Sequence, residues 1–186
     1  MMTSVLAFLL ETVAFLFVGS ALLRAWMNHW RISMSGQPGR FVMAMTHWLV
    51  GPLRRVLPRA MVQSRVDWGS LLAAGLLALA YGSLVIALQL ALAAGVTVTD
   101  GLVLTVVPVL AAKLLIRVVL QGLMVILLVY AVLSWVQPRS PMMDVMARLC
   151  RPVLTPIQRV VPTVGGVDLS VLVLLVLLQI GLMLLV

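Results

Sequence analysis

The chain has 186 residues, of which 63% are hydrophobic and only 10% charged, and its mean hydropathy is +1.21. Soluble domains are about half apolar and about one quarter charged, so this composition excludes an ordinary soluble protein and predicts an integral membrane protein. Thirteen basic side chains, twelve of them arginine, face five acidic ones and give a net charge of +8. Because the arginines lie beside apolar segments, at the level of lipid headgroups, we expect anionic lipid rather than nucleic acid as their partner.

Four apolar segments are each long enough to cross a bilayer, which takes about 20 helical residues. They cover approximately residues 4–26, 69–94, 113–136 and 168–186. The first contains Glu11 and lacks a basic leader, so we interpret it as a retained span rather than a signal peptide. Residues 101–112 are ambiguous, because joined to the third segment they would exceed one crossing, and Pro108 indicates a kink or a boundary there. The sequence therefore predicts an all-α membrane protein with about four transmembrane helices.

The distribution of arginine predicts how these spans are oriented. Seven arginines lie within residues 24–65 and four within residues 139–159, whereas the connection at residues 95–100 has none. The positive-inside rule then predicts that both arginine-rich loops are cytoplasmic and that both termini are periplasmic, in a bacterial inner membrane. Lys113 and Arg117 count against this orientation, since they would lie toward the outer leaflet.

One sequence unit occurs twice in the chain. PLRRVLP at residues 52–58 matches PIQRVVP at residues 156–162, with aliphatic exchanges and one arginine replaced by glutamine. In each copy a tryptophan closes the span before the loop, and an aspartate opens the span after it. These residues are Trp26 and Asp67 in the first copy, and Trp135 and Asp168 in the second. The pattern is typical of tandem structural repeats.

The repeat predicts two structural units, at residues 1–95 and 96–186. Each unit has two spans around one basic loop; the loops are residues 27–68 and 137–167. Because each copy holds two spans, both copies begin on the same side of the membrane. We therefore expect parallel repeats related by a pseudo-two-fold axis along the membrane normal, with their basic loops side by side.

Each basic loop is predicted to form a proline-broken amphipathic helix in the membrane interface. The apolar stripe of the first helix is Phe41, Met45, Trp48, Leu49, Leu53 and Val56, and that of the second is Val145, Leu149, Val153, Ile157 and Val160. Pro52 interrupts the first helix, and Pro152 and Pro156 interrupt the second. A re-entrant course stays open, provided that the two repeats shield each other. The arginines predicted to bind anionic lipid or a partner are Arg54, Arg55, Arg148, Arg151 and Arg159.

Asp67 and Asp168 are predicted to be N-caps of the spans that they open, where they accept free backbone N–H groups. Each can also form an ion pair with an arginine of a basic loop, within its repeat or across the axis. Because Arg55 and Arg159 share one position in the repeat, and Arg54 has no basic counterpart, we expect Arg55 and Arg159 to be the partners.

Few residues have the types and spacing that chemistry requires. Glu11, Lys113 and Arg117 are ionisable groups inside apolar spans, and we expect them to form a structural ion pair; a proton or cation site and simple snorkelling are the alternatives. The two histidines have no metal-ligating neighbours at a useful spacing, and no nucleophile has a positioned base. The lone cysteine, Cys150, is interpreted as a small apolar residue. The sequence therefore predicts no enzyme, no metal and no cofactor.

The second copy of the repeat carries a longer motif. The stretch SWVQPRSPMMDVMARLCRPVLTPIQRVVPTVGGVDLSVLVLLVL resembles the YggT family of bacterial inner-membrane proteins, whose usual pattern is a span ending in SW, a Ser-Pro loop, and DPLLRPIRRIIPxxGGIDLSP before another span. The similarity covers both repeats. By position, the family motif falls on Trp26, Pro52, Arg54, Arg55, Pro58 and Asp67, and on Trp135, Pro152, Pro156, Arg159, Pro162, Gly165, Gly166, Asp168 and Ser170. The departures are Arg151 for aspartate, Gln158 for an arginine and Val171 for proline.

This resemblance implies an assisting function rather than a reaction. Bacterial members are associated with osmotic tolerance and with cell-division gene neighbourhoods, and plastid relatives with cytochrome b6 haem attachment and nucleoid or division-site organisation. We therefore expect a non-enzymatic scaffold or assembly factor whose paired basic loops bind anionic lipid or an unidentified membrane-protein partner, with homodimerisation left open. The alternative is a transport-related or channel-like protein in osmotic or ion homeostasis, which would need polar side chains along the inward faces of the spans.

Overall fold

The computed structural model describes residues 2–58, 66–92, 100–159 and 169–185. Within these ranges the chain forms six α-helices and no β-strand, which confirms the all-α prediction. The helices are α1 (Met2–His29), α2 (Gly39–Val56), α3 (Trp68–Leu92), α4 (Asp100–Val136), α5 (Pro141–Gln158) and α6 (Leu169–Leu185).

Three of the helices are long and apolar enough to cross a membrane. These candidate spans are Ser4–His29, Trp68–Ala91 and Leu104–Val136, and they correspond to the first three predicted spans. α6 is also apolar but has 17 residues, or about 25 Å of helix, slightly less than the hydrocarbon core of a typical bilayer. The helices therefore identify a membrane protein, and its fourth span stays a prediction.

Proline interrupts none of the helices that contain it. Pro108 lies inside α4, so residues 101–112 belong to the same helix as the third predicted span and do not form a separate piece. α2 contains Pro52, and α5 contains Pro152 and Pro156, so the prediction that each basic helix breaks into two pieces is wrong. A proline removes one backbone hydrogen bond. Pro52 and Pro156 lie on the exposed sides of their helices, where the freed carbonyl groups can be solvated, so both helices continue.

The core joins α1, α2, α3 and α4 through small side chains. Its buried members are Val18, Ala21, Val50, Ala73, Ala74, Ala78, Ala111, Leu114 and Val118. Alanine at a helix contact lets two backbones approach closely, which is how helices pack in a membrane where lipid is as apolar as leucine. A second cluster joins α4, α5 and α6 through larger side chains; it consists of Leu127, Cys150, Leu154, Leu174 and Leu178.

α2 and α5 bury the same face of the repeat. In α2 the buried face includes Val42, Thr46 and Val50, and in α5 it includes Met146, Cys150 and Leu154. These two sets are equivalent when PLRRVLP is aligned with PIQRVVP. Their four-residue spacing places each set on one side of its helix. The two basic helices therefore dock on the spans in the same way.

The predicted apolar stripe of α2 coincides only in part with its buried side, since Leu49 and Leu53 pack against the core. Phe41, Trp48 and Val56 of that stripe are exposed, and Val56 retains 85% of its accessible surface. The helix thus has a protein-facing side, an exposed apolar side and an exposed basic side. The prediction did not separate the first two, because hydrophobicity alone does not tell protein contact from lipid contact.

A left-handed residue ends α1 and turns the chain toward α2. Arg31 has φ 51°, the Arg31 N–H donates to the Asn28 carbonyl at 3.1 Å, and the Ile32 N–H donates to the Met27 carbonyl at 2.9 Å. This pair of bonds is the Schellman motif, in which the left-handed residue is usually glycine. Ile32 and Met27 are both buried in one cluster with Met146 and Leu149 of α5, so packing supports the turn.

α3 packs closely along α4 because Gly82 has no side chain. A Cβ atom at Gly82 would lie 2.9 Å from the backbone oxygen of Val107. When the two repeats are aligned at Asp67 and Asp168, the residue of α6 that corresponds to Gly82 is Met183. Met183 is 68% exposed. Within the described ranges α6 packs on α4 and α5 and makes no extensive contact with α1. The helix packing therefore departs from a strict two-fold relation between the repeats.

Substitution of Gly82 tests this contact between the repeats. Gly82→Ala should lower the stability of the protein by about 1–3 kcal/mol, because the backbone oxygen of Val107 cannot move aside without shifting α4. The measurement is the thermal unfolding midpoint in one detergent. Gly75→Ala is the matched control in α3; a Cβ there meets nothing within 4 Å, and the helix should gain about 0.5–1 kcal/mol. Equal midpoints for the two variants would contradict the close packing.

Candidate functional site

An ion pair fastens α2 to the start of α3. Arg54 Nη2 donates to Asp67 Oδ2 at 2.7 Å, and the Asp67 side chain is only 4% exposed. We expected Arg55 to be the partner, and this expectation is wrong. Arg54 is half-buried toward α3, whereas Arg55, one residue further around the helix, is exposed. Gly69 makes room for the pair, since a Cβ there would lie 2.9 Å from Arg54 Cγ.

Asp67 is also the N-cap of α3, as predicted. Its Oδ1 accepts the Ser70 backbone N–H at 3.2 Å, and its Oδ2 accepts the Ser70 hydroxyl at 2.8 Å. Burial alone would raise the pKa of Asp67. The hydrogen bonds from Arg54 and Ser70 and the positive charge of Arg54 outweigh burial, so the pKa of Asp67 lies below its usual value of 3.8. The carboxylate is therefore ionised across the physiological pH range.

Arg24 brings a second buried arginine to the same place. Its Nη1 donates to Thr46 Oγ1 of α2 at 2.9 Å, and that hydroxyl donates to the Val42 carbonyl at 2.7 Å. The guanidinium of Arg24 is close enough to Arg54 and Asp67 to interact electrostatically with both. One carboxylate thus lies near two arginines at the point where three helices meet. We call Arg24, Thr46, Arg54, Asp67 and Ser70 the junction cluster.

Three members of the junction cluster were not among the predicted site residues: Arg24, Thr46 and Ser70. Arg24 was counted only as a loop charge, although it lies within the last turns of the first apolar span. An arginine inside an apolar span needs a polar neighbour, and that was the available signal. The second repeat has Leu133 and Cys150 at the positions of Arg24 and Thr46. The hydrogen bond between an arginine and a threonine that joins α1 to α2 therefore cannot form at this place between α4 and α5.

The second repeat uses weaker contacts at the corresponding place. Cys150 Sγ lies 3.9 Å from the Ile126 carbonyl of α4, and burial raises the pKa of this thiol to about 12. A protonated buried thiol is a poor nucleophile and metal ligand. Ser140 caps α5 by accepting the Met143 N–H at 3.2 Å. At the positions of Arg24 and Thr46, the second basic helix is thus held by a thiol contact and by apolar packing.

The two motif tryptophans have different surroundings. Trp26 is half-buried, and its Nε1 donates to the Leu149 carbonyl of α5 at 3.3 Å, a contact between the two repeats. Trp135 is 82% exposed at the end of α4. With Trp30 and Trp68, these tryptophans lie at the end of the bundle where α1 and α4 end and α3 begins, whereas Trp48 packs edge-to-face on Phe17 in the middle of α1, with 6.1 Å between ring centroids. We call that end of the bundle the tryptophan end; tryptophan is enriched at membrane–water interfaces.

The remaining predicted arginines are exposed at the tryptophan end. Arg55 lies on α2, Arg148 and Arg151 lie on α5, and Arg159 follows α5 directly. Pro58, also exposed, ends the described part of the first motif. The predicted motif residues Pro162, Gly165, Gly166 and Asp168, and Val160 of the second stripe, lie outside the described residues, so the predicted pairing of Arg159 with Asp168 stays a prediction.

A second charged site lies at the opposite end of the spans. Arg117 Nη1 of α4 donates to Glu11 Oε1 of α1, which confirms an ion pair between these two residues. Lys113, the third member of the predicted set, is exposed and is not part of that pair. A cavity of about 200 Å³ adjoins the site; its lining residues are Tyr81, Leu110, Lys113, Leu114, Arg117 and Leu185.

The described residues contain no group of three histidine, cysteine, aspartate or glutamate side chains that could hold a metal ion. The charged side chains instead form two separate sites, the junction cluster and the site around Arg117. Between them lies the apolar core of α1, α3 and α4. The geometry at both sites suits the positioning of helices and the binding of anions.

Replacement of Arg54 should destabilise the protein more than replacement of its neighbour. Arg54→Gln breaks the bond to a buried carboxylate, and because the Arg54 side chain is 39% exposed we expect a loss of only about 1 kcal/mol. Arg55→Gln is the matched control, and its effect should stay within about 0.5 kcal/mol. The measurement is equilibrium unfolding in detergent. A larger loss for Arg55→Gln would contradict the assignment of the pair.

Stability should fall in acid because of Asp67. Its pKa is lower in the folded protein than the ordinary value of 3.8, so its contribution is complete above that value and is lost as the pH falls through the folded-state pKa. We expect the unfolding midpoint of the wild type to fall toward that of Asp67→Asn as the pH is lowered from about 6 to about 3. A constant difference between the two proteins over this range would show that Asp67 does not titrate with folding.

Comparison with known proteins identifies the relatives of this chain. A family model described as CCB3/YggT matches residues 3–89 and 109–186, two segments that fit a tandem repeat. The chain is 36% identical over 179 residues to "Uncharacterized protein YggT" of Escherichia coli strain K12, which covers 94% of this chain and 86% of that protein. It is 32% identical over 177 residues to "Uncharacterized protein in proC 3'region" of Vibrio alginolyticus, with 94% and 89% covered. No solved structure matches the chain. The chain therefore belongs to the CCB3/YggT family.

Proposed function

We propose that this protein is a non-enzymatic scaffold or positioning factor of the bacterial inner membrane. In this proposal four spans form two repeats, and the basic helices α2 and α5 lie along the cytoplasmic interface. There they bind anionic lipid and present a basic surface to a partner membrane complex. The observation that carries the proposal is the exposure of Arg55, Arg148, Arg151 and Arg159 on or beside two helices that are docked on the spans in the same way.

The surroundings of these arginines support a location at the membrane interface. Phe41 and Trp48 are exposed on the apolar side of α2, beside the basic side. A helix with exposed apolar and basic sides is stabilised where acyl chains meet phosphate groups. The presence of Trp26, Trp30, Trp68 and Trp135 at the end of the spans where α2 and α5 join them supports the same location.

The junction cluster supports a positioning role rather than a reaction. Arg54 fastens α2 to α3, and Arg24 fastens α2 to α1. The exposed Arg55, next to Arg54 on α2, is therefore held in a constant orientation. A preorganised basic surface loses less conformational entropy when it binds a partner. The apolar core between the two charged sites favours this role over transport, since the described parts of α1, α3 and α4 bury alanine, valine and leucine between those sites.

The test removes the exposed charges and leaves the junction cluster intact. In a variant with Arg55→Gln, Arg148→Gln, Arg151→Gln and Arg159→Gln, binding to anionic lipid should fall about fivefold for each arginine removed. The protein is purified from native membranes after gentle solubilisation, and co-purifying proteins and anionic lipids are measured by mass spectrometry. The wild type should retain a reproducible partner that the variant loses.

The control is a variant with lysine at the same four positions, which keeps the charge and should keep anionic lipid. Equal recovery of lipid and protein partners from the wild type and the glutamine variant would reject the proposal. Recovery of no partner at all from the wild type, together with ion flux in liposomes, would favour the transport alternative instead.

A further inference from the structure

The cavity beside Arg117 lies near the membrane interface opposite the tryptophan end. Along α4, residues 117 to 135 cover about 27 Å, close to the thickness of the hydrocarbon core. Glu11, the ion-pair partner of Arg117, is 15 residues or about 22 Å along α1 from Trp26. Both distances place the pair of Arg117 and Glu11 in the half of the spans opposite the tryptophan end. Lys113, one helical turn further out, reaches the headgroups of that leaflet.

The charges around the cavity do not balance within the described residues. Glu11 is the acidic partner of Arg117, and Lys113 forms no ion pair with a described residue. Lys113 and Arg117 are four residues apart on α4, so both cations lie on one side of the helix and line the same cavity. Among the described side chains, one carboxylate beside two cations leaves one positive charge.

The other walls of the cavity suit a group that is polar at one end and apolar at the other. Leu110 and Leu114 of α4 and Leu185 of α6 provide apolar surface. Tyr81 of α3 lines the same cavity and interacts electrostatically with Glu11 and Arg117. The volume of about 200 Å³ is sufficient for a phosphate group with several waters.

We infer that this cavity binds the phosphate group of an anionic phospholipid in the leaflet opposite α2 and α5, with Lys113 as the principal cation. Lysine is a compact point charge that commonly binds phosphate, and it is otherwise disfavoured on the periplasmic side of a span. Arg117 is oriented by Glu11 and keeps further N–H donors for the ligand. The leucines would contact the glycerol and the first methylene groups.

The experiment measures the binding of two phosphate sources to the full-length protein in phosphatidylcholine nanodiscs. Phosphatidylglycerol is titrated in one arm and inorganic phosphate in the other, and bound ligand is counted by native mass spectrometry. Lys113→Gln should weaken phosphatidylglycerol binding about tenfold, because it removes one charge-assisted bond from an exposed residue without disturbing the core. Lys113→Arg should keep binding within about twofold. Binding of phosphatidylglycerol but not of inorganic phosphate identifies a lipid site, and binding of inorganic phosphate that depends on Lys113 identifies a soluble phosphate as the source.

The charge-matched control is Arg139→Gln, an exposed arginine in the loop after α4 at the tryptophan end. Like Lys113→Gln, it removes one positive charge, but at the tryptophan end instead of beside the cavity. Equal weakening by Lys113→Gln and Arg139→Gln would reject the site, because the effect would then reflect only net charge. The inference is also rejected if the wild type binds neither source, or if Lys113→Gln binds both as the wild type does. It does not depend on the scaffold function, since the two tests use different residues at opposite ends of the spans.

Discussion

The ionised carboxylate of Asp67 is the constraint on which the first half of the molecule depends. A carboxylate that is almost fully buried needs hydrogen-bond donors and positive charge, and three elements supply them. α3 contributes the backbone and hydroxyl of Ser70, α2 contributes Arg54, and α1 contributes the nearby charge of Arg24. If any of these elements moved away, charge would be left buried without a partner. The position of α2 on the spans is therefore determined by electrostatics as well as by packing.

The two repeats share a docking geometry and differ in the chemistry that maintains it. The buried faces of α2 and α5 are equivalent by sequence, yet Thr46 of the first is replaced by Cys150 in the second, and Arg24 is replaced by Leu133. Apolar packing is less directional than hydrogen bonding between charged groups. At this one place, the first basic helix is oriented by a hydrogen bond from a charged group, and the second by a thiol contact and apolar packing.

The described part of the chain has two charged ends separated by an apolar middle. At the tryptophan end, buried arginines hold the structure and exposed arginines carry the proposed function. At the other end, Glu11 and Arg117 tie α1 to α4 across the boundary between the repeats, and Gly82 lets α3 approach α4 at the same boundary. With the hydrogen bond from Trp26 to the Leu149 carbonyl, these contacts join the repeats at both ends of the spans.

Composition and pattern were sufficient to predict the helical class, the first three spans, the N-cap at Asp67 and the pairing of Glu11 with Arg117. These features depend on local hydrophobicity, or on the high cost of charge in an apolar span. The sequence did not predict Arg54 over Arg55, the burial of Arg24, the continuity of the proline-containing helices or the close approach at Gly82. Neighbouring residues on a helix differ by about 100° in direction, and only the packing of α1 and α3 around α2 decides which one faces a partner. The sequence by itself determined which segments are apolar enough to enter a membrane, and the tertiary structure decided which charges meet, because pairing depends on side-chain direction between helices.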